Sequence, residues 1–359
     1  MFLAIRDIRF AKGRFALMGS VVALITLLLV MLSGLTAGLG DQSTSAIKNL
    51  PVQQIVFGAP AGGEPKASYT ESEVSSRQLQ AWRDQPGVSS VQAVGISQTR
   101  FQSLAGDGSA TGTANVAVFG GALTPSIVGE GTVVIGQTVA KDLALQPGSR
   151  VRLGGTDLTV ADVVEDQWYS HTGVVWTTLP DWRSIAHAAP NTATVLGVTY
   201  DAGASVSADA ANAAAGTVSS DVLGSFQALG SYKSENGSLM LMQAFLYGIS
   251  ALVIVAFLTV WTVQRTRDIA VLRALGGSTG YVLRDALAQA ALVLLAGTAA
   301  GGAVGLAGGW AASKAAPFLV TPMTTLLPVA GVLVLGLAGA ALAVRRVTTV
   351  DPLLALGGN

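Results

Sequence analysis

The chain holds few side chains equipped for covalent chemistry. It has no cysteine and two histidines, His171 and His187. Thiolate nucleophiles, disulfides, iron–sulfur clusters and Cys-based zinc sites are therefore excluded, and a metal centre built on histidine is short of ligands. No G-x-x-x-x-G-K-[ST] phosphate loop occurs, so ATP binding by that route is not expected. H-E-x-x-H is absent as well. Ser, His and Asp coexist in the central part of the chain, as in most proteins, and His171 and His187 read as ordinary surface or turn residues. The acid in the most unusual setting is Glu235, the last charge before 29 uncharged residues. A carboxylate there has two readings. It complements the dipole of a helix start, worth about 0.3–1 kcal/mol, or it serves a ligand at the edge of an apolar segment.

The elements around these residues follow from composition. At roughly 150 residues per domain, 359 residues suggest two domains. Lys plus Arg and Asp plus Glu are 21 each, so there is no basic excess for nucleic acid. Charged residues make up 12% and the mean hydropathy is +0.54, which argues against a soluble globular protein. Four stretches carry no charge at all: 15–40, 236–264, 286–313 and 315–344. Each exceeds the ~20 residues that span a bilayer. The block 41–235 between the first two holds ten of the basic residues and most of the acids.

This gives an α-helical membrane protein with four transmembrane helices and an extracytoplasmic α/β insert domain. The expected organisation is an amphipathic cytoplasmic-side helix at 1–14, spans at 15–40, 236–264, 282–309 and 326–344, the insert at 41–235, a cytoplasmic helix at 265–281, an outer loop at 310–325 and a cytoplasmic tail at 345–359. The first span is too long for a signal-peptide core. In the N-terminal segment Phe2, Ile5, Ile8 and Phe10 fall near helical spacing among basic residues. Arg6, Arg9, Lys12 and Arg14, then Arg265, Arg267, Arg273 and Arg284, and finally Arg345 and Arg346 place both termini and the middle loop in the cytoplasm. Trp310 fits the outer interface and Trp261 the inner one. The spans carry no buried acid or base, which argues against an ion channel and a proton-coupled transporter.

Gly297, Gly301, Gly305 and Gly309 form a four-residue ladder on the third span, and Gly34 and Gly38 end the first. Such faces admit close helix contact, within one chain or between two. Pro317, Pro322 and Pro328 predict an irregular outer start to the fourth span. In the insert, strands are expected at 53–58, 88–97, 115–121, 132–136, 173–179 and 194–200, and a hairpin at 151–160 turning on Gly154-Gly155. Helices are expected near 71–84, 137–145 and 205–229. Asn236-Gly237-Ser238 matches a glycosylation acceptor by chance.

One span, a large insert and three more spans resemble the layout of the MacB/FtsX-type (type VII) ABC transporter permeases. Three stretches carry the resemblance. VVIGQTVAKDLALQPGSRVRLGGTDLTVADVV (133–164) looks like that family's periplasmic core. QRTRDIAVLRALGGSTGYVLRD (264–285) resembles its cytoplasmic helix, with Asp268 and Gly277 departing from the usual Glu and Ala. VTTVDPLLAL (347–356) resembles its ending. The resemblance implies a permease that is no enzyme itself, acting as a homodimer with two copies of a cytoplasmic ATPase that binds ATP. On the matching segment Arg267, Asp268, Ile269, Leu272, Arg273, Leu275 and Gly276 would couple to that ATPase.

The N-terminal pattern LAIRDIRFAKGRFALMG (3–19), LLLVMLSGLTAGL (27–39) and IVFG (55–58) looks closest to the haem-exporting members of the family. That implies efflux of haem, or a similar amphiphile, from the outer leaflet of a bacterial plasma membrane. Haem would be cargo, with no intrinsic cofactor. Haem iron takes axial ligands and its ring takes apolar walls. Glu235, Tyr232, Met240 and Met242 are then candidate ligands, Lys233 and Lys48 candidate partners of propionates, and Phe245, Leu35 and Leu39 candidate walls beside membrane lipid. In a twofold dimer one Glu235 becomes two, able to hold one ferric iron from opposite faces. The alternatives are an FtsX-like, non-transporting regulator of cell-wall hydrolases and a permease for lipoprotein or peptide transfer.

Overall fold

The computed structural model describes residues 12–60, 63–123, 128–264 and 278–348. The cytoplasmic segment expected at 265–281 falls largely outside them, as do most of the N-terminal segment and the tail. The chain divides into two compact units, one formed by Met1–Leu39 with Gly237–Asn359 and the other by Gly40–Asn236.

Eight helices and twelve strands are described. In chain order they are α1 (Lys12–Lys48), β1 (Gln54–Phe57), β2 (Val74–Ser75), α2 (Ser76–Arg83), β3 (Val88–Leu104), β4 (Ala110–Gly120) and β5 (Thr132–Gly136). There follow α3 (Gln137–Asp142), β6 (Arg150–Leu153), β7 (Thr156–Val164), β8 (Trp168–Tyr169), β9 (Thr172–Thr177) and α4 (Leu179–Ala186). The rest are β10 (Thr192–Ala193), β11 (Val195–Tyr200), α5 (Ala208–Ala215), β12 (Val218–Asp221), α6 (Gly230–Gln264), α7 (Thr279–Ala312) and α8 (Pro322–Thr348).

In the insert, β3 organises the sheet. Its first half pairs antiparallel with β11, and β11 leads through β1 to the edge strand β12. Its second half pairs with β4 and, at Phe101–Ser103, with β6. Since β4 continues through β9, β5 and β7 to β6, this half closes on itself. Alternating apolar residues fill the closed part with Phe101, Val116, Val118, Val133, Val151 and Leu153. A second core around Phe57, Tyr69, Phe119 and Trp176 lies beneath the ends of α1 and α6 that belong to this unit. The hairpin expected at 151–160 is present, with Gly154 at φ 52° and Gly155 at φ 90°, the positive pair a two-residue turn demands.

The expected helix at 205–229 is replaced by three pieces. Ser207 caps α5 by accepting from the Ala210 amide, and Gly216 at φ 62° ends it. Thr217 then donates to Asn212 and accepts from Trp82 Nε1, which fixes the chain for β12 to pair with β1. A 3-10 turn at Gly224–Ala228 leads into α6. Strands β3 and β4 are longer than expected, and α1 runs eight residues past the expected end of the first span.

In the other unit four helices are long and apolar enough to cross a membrane by length and composition. The glycine ladder of α7 packs on α1 of the same chain. A β-carbon at Gly297 would crowd Gly19 and Val22, one at Gly301 would overlap the Ala23 backbone, and one at Gly305 would press on Val30. Gly34 and Gly38 receive a different partner: the non-helical Pro317–Phe318 segment, whose Phe318 ring also lies on Gly309. The Leu319 amide donates to the Gly34 carbonyl at 3.1 Å. The irregular start expected for the fourth span is thus confined to the stretch before α8. Pro322 begins that helix and Pro328 lies inside it. Leu294 packs on Gly336, and Val255 on Gly339, joining α7 and α6 to α8.

Candidate functional site

Glu235 lies in the second turn of α6, whose first turn contains no acid. The first-turn dipole reading therefore does not describe it. What faces its carboxylate is His171. Nε2 of His171 lies 2.8 Å from Oε2 and 3.0 Å from Oε1 of Glu235. The same nitrogen lies 3.1 Å from Ser43 Oγ. The two side chains are 31% and 41% exposed, so a solute can reach them. When the ring is protonated the contact is an ion pair, and when it is neutral the N–H tautomer donates to the carboxylate.

The fold brings these residues together by a local device. β8 and β9 pair through Trp168 with Gly173 and Tyr169 with Thr172, leaving Ser170 and His171 as a two-residue turn. Both have positive φ, 49° and 63°, in a turn type usually filled by glycine or asparagine. Left-handed backbone costs about 1–2 kcal/mol for each such residue, and contacts to neighbouring elements hold it here. The Ser170 amide donates to the Ser43 carbonyl and the His171 amide to the Gln42 carbonyl, each at 3.0 Å. The Trp168 amide donates to Ser45 Oγ, and Ser170 Oγ lies 3.0 Å from Ser231 Oγ. Below the turn, Tyr169 meets Tyr69 and Phe119 edge-on. Burial pushes the Tyr69 and Tyr169 hydroxyls well above the usual phenol range, and Tyr69 donates to Ser225 Oγ at 2.9 Å. The turn stands on a neutral, packed base.

This is not a hydrolytic arrangement. A nucleophile–histidine–acid relay divides the two ring nitrogens between hydroxyl and carboxylate, whereas a single nitrogen of His171 faces both Ser43 and Glu235. Among the described residues no group of three or more His, Cys, Asp or Glu could hold a metal ion. The cluster instead presents a reachable carboxylate and an imidazole, either able to meet a cationic or metal-bearing solute from one side.

Of the other expected site residues, Met242 and Phe245 lie within about 80° of Glu235 around the helix, at 100° per residue. Both are exposed, and Ile249, Leu252, Val260 and Val263 continue the same exposed stripe. Met240 and Lys233 fall about 140–160° away on this count. Tyr232 turns to the insert core, its ring 5.6 Å from that of Phe226. Leu35 and Leu39 are half-buried on α1, flanking Thr36, whose hydroxyl accepts from Gln243 at 3.1 Å. Lys48 is exposed. The residues expected to couple to an ATPase, Arg267 to Gly276, lie outside the described residues. His171 is the residue that sequence reading passed over. It stands 64 positions from Glu235, and no spacing or motif links the two.

Comparison with known proteins covers both units. The family model described as MacB-like periplasmic core domain matches residues 15–218, and the FtsX-like permease C-terminal model matches 240–352. A protein of Staphylococcus epidermidis named for a proposed role as the hemin transport system permease HrtB is 24% identical over the full length of both chains. Its namesake in Staphylococcus haemolyticus is 23% identical over all of this chain and 99% of its own. An ABC transporter permease of Mycobacterium tuberculosis, named as uncharacterized, is 22% identical over 100% of this chain and 99% of its own. Among solved structures, the periplasmic region of MacB from Actinobacillus actinomycetemcomitans aligns with a TM-score of 0.37 at 10% identity, covering 50% of this chain and 92% of that one.

Proposed function

Because this chain belongs to the MacB/FtsX-type family of ABC transporter permeases, we propose that it is the membrane subunit of an exporter that clears haem, or a similar amphiphile, from the outer leaflet. One observation carries this reading: a reachable carboxylate, Glu235, heads the exposed apolar stripe of α6. A flat apolar ring with a metal at its centre needs both features together. The relatives named for hemin transport support the same cargo. In the proposed twofold dimer two α6 stripes face each other, and two Glu235 carboxylates approach one ferric iron from opposite sides. Met242 and Phe245, with Leu35 and Leu39, line the ring, and Lys48 flanks it to meet a propionate. Tyr232 and Met240 are the remaining ligand candidates. Both termini lie in the cytoplasm and the insert outside.

ATP is bound and hydrolysed by a separate cytoplasmic subunit, two copies per dimer. The segment Arg267–Gly276 docks into it, with Ile269, Leu272 and Leu275 on one side and Arg267, Asp268 and Arg273 on the other. Leu272→Asp is expected to abolish co-purification of the ATPase with this chain while leaving haemin binding intact.

The cargo test is a haemin titration of the full chain in lipid nanodiscs, followed in the Soret band. A saturable shift near one haem per dimer, lost in Glu235→Ala, is the expected result. A shift that survives the substitution moves the ligand to Met240, Met242 or a tyrosine, and the absence of any saturable shift refutes haem as the cargo.

A further inference from the structure

We infer that His171 is a positioning residue for Glu235, and that the turn carrying it reports whether the carboxylate is taken by cargo. This rests on the cargo reading of Glu235 above. The shape of the contact comes first. One nitrogen faces both carboxylate oxygens, at 2.8 and 3.0 Å, so the ring stands across the mouth of the carboxylate. That is the direction from which a carboxylate chelates a metal, and the N–H and an iron compete there for the same lone pairs. Cargo iron that binds Glu235 must withdraw at least one oxygen from His171.

The turn is placed to register that loss. Its two residues occupy left-handed backbone without being glycine. Contacts to two helices hold it: the carbonyls of Gln42 and Ser43 on α1, and the side chains of Ser231 and Glu235 on α6. Among the described residues, the Glu235 contact is the turn's one charge-bearing link to either helix. Removing it leaves the strained backbone held by neutral hydrogen bonds. β9 continues from the turn directly into the sheet, where Val174, Val175 and Trp176 are buried. A change at His171 therefore reaches the insert core along one strand. Without cargo, His171 holds Glu235 and the turn is fixed; with cargo, the imidazole is displaced and the turn is freed.

The test uses the full chain in nanodiscs, read by deuterium uptake at Ser170 and His171 and by haemin titration. Without haemin, Glu235→Ala is expected to speed exchange at these two amides about fivefold, the scale of one half-exposed charge-assisted hydrogen bond. Haemin added to the wild type should do the same. His171→Leu, which removes the competitor, should tighten haemin binding about fivefold, and His171→Gln, which keeps a donor, should bind near the wild-type level. A histidine that only supports the fold would weaken binding in the leucine variant, and that result overturns the inference. So does haemin that binds through Glu235 and leaves the two amides unchanged. If the wild type shows no saturable haemin band, the cargo reading fails by itself. The latch is then judged on the haemin-free arm: faster exchange in Glu235→Ala sustains the His171 contact as the turn's holder, and unchanged exchange overturns it.

Discussion

Gly301 of α7 lies so close to Ala23 of α1 that a β-carbon there would overlap the Ala23 backbone itself. A flexible side chain can swing aside, but a helix backbone cannot, so the two helices would have to part. Gly301→Ala is expected to cost about 2 kcal/mol, in the range for overpacking a close interface. Gly308→Ala is the control, because its nearest neighbour, Met31 Sδ, stands 3.5 Å from the added carbon. Thermal unfolding in one detergent should show a fall of about 5 °C for the first and little change for the second. Equal midpoints would mean that this contact does not hold the bundle together.

The same contact shows what was legible beforehand. A run free of charge and longer than a bilayer is thick admits few structures, so the spans could be read directly, and a four-residue glycine spacing announced a close helix contact. Its partner could not be read, because α1 and dimer-related helices look alike to such a face. Gly154-Gly155 declared its turn because only glycine takes two positive φ values without strain. Ser170-His171 takes the same kind of turn with no glycine, supported from outside by α1 and α6, and nothing local announces it. The run 205–229 looked like one helix because alanine, which fills its first part, favours helix everywhere. Pairing with β1 decided β12, and Ser219, Ser220 and Asp221 carry no strand pattern of their own.

Gly216 should therefore be sensitive for a backbone reason alone. Its φ is 62°, and nothing lies within 4 Å of where a β-carbon would stand. Gly216→Ala meets no clash and pays only for left-handed backbone, about 1 kcal/mol. Chemical denaturation should register a loss of that size, with haemin binding unaltered. A neutral substitution would show that α5 can end in another way.

Helical phase predicts an unequal pair of methionines. Met242 shares the face of Glu235, and Met240 lies about 140° away. Met242→Ala is expected to weaken haemin binding by about fivefold through lost apolar contact, whereas Met240→Ala should leave it unchanged. The reverse order, measured by the Soret titration, would place the cargo on the other side of α6.

Alkaline pH tests the base beneath the His171 turn. Burial raises the Tyr69 and Tyr169 hydroxyls above their unfolded values. The folded protein therefore keeps two phenolic protons that the unfolded chain releases above about pH 10. Below that pH the two tyrosines add no pH dependence. Above it, stability falls as pH rises, by about 1.4 kcal/mol per pH unit for each of them. Absorbance at the phenolate band should show Tyr69 and Tyr169 silent until unfolding, and then ionising with it in one step. Tyr69→Phe should reduce the slope by one proton while giving up the hydrogen bond to Ser225. Smooth ionisation of both phenols in the folded protein would mean that water reaches the ring cluster, and that the turn above it is less firmly seated than its contacts imply.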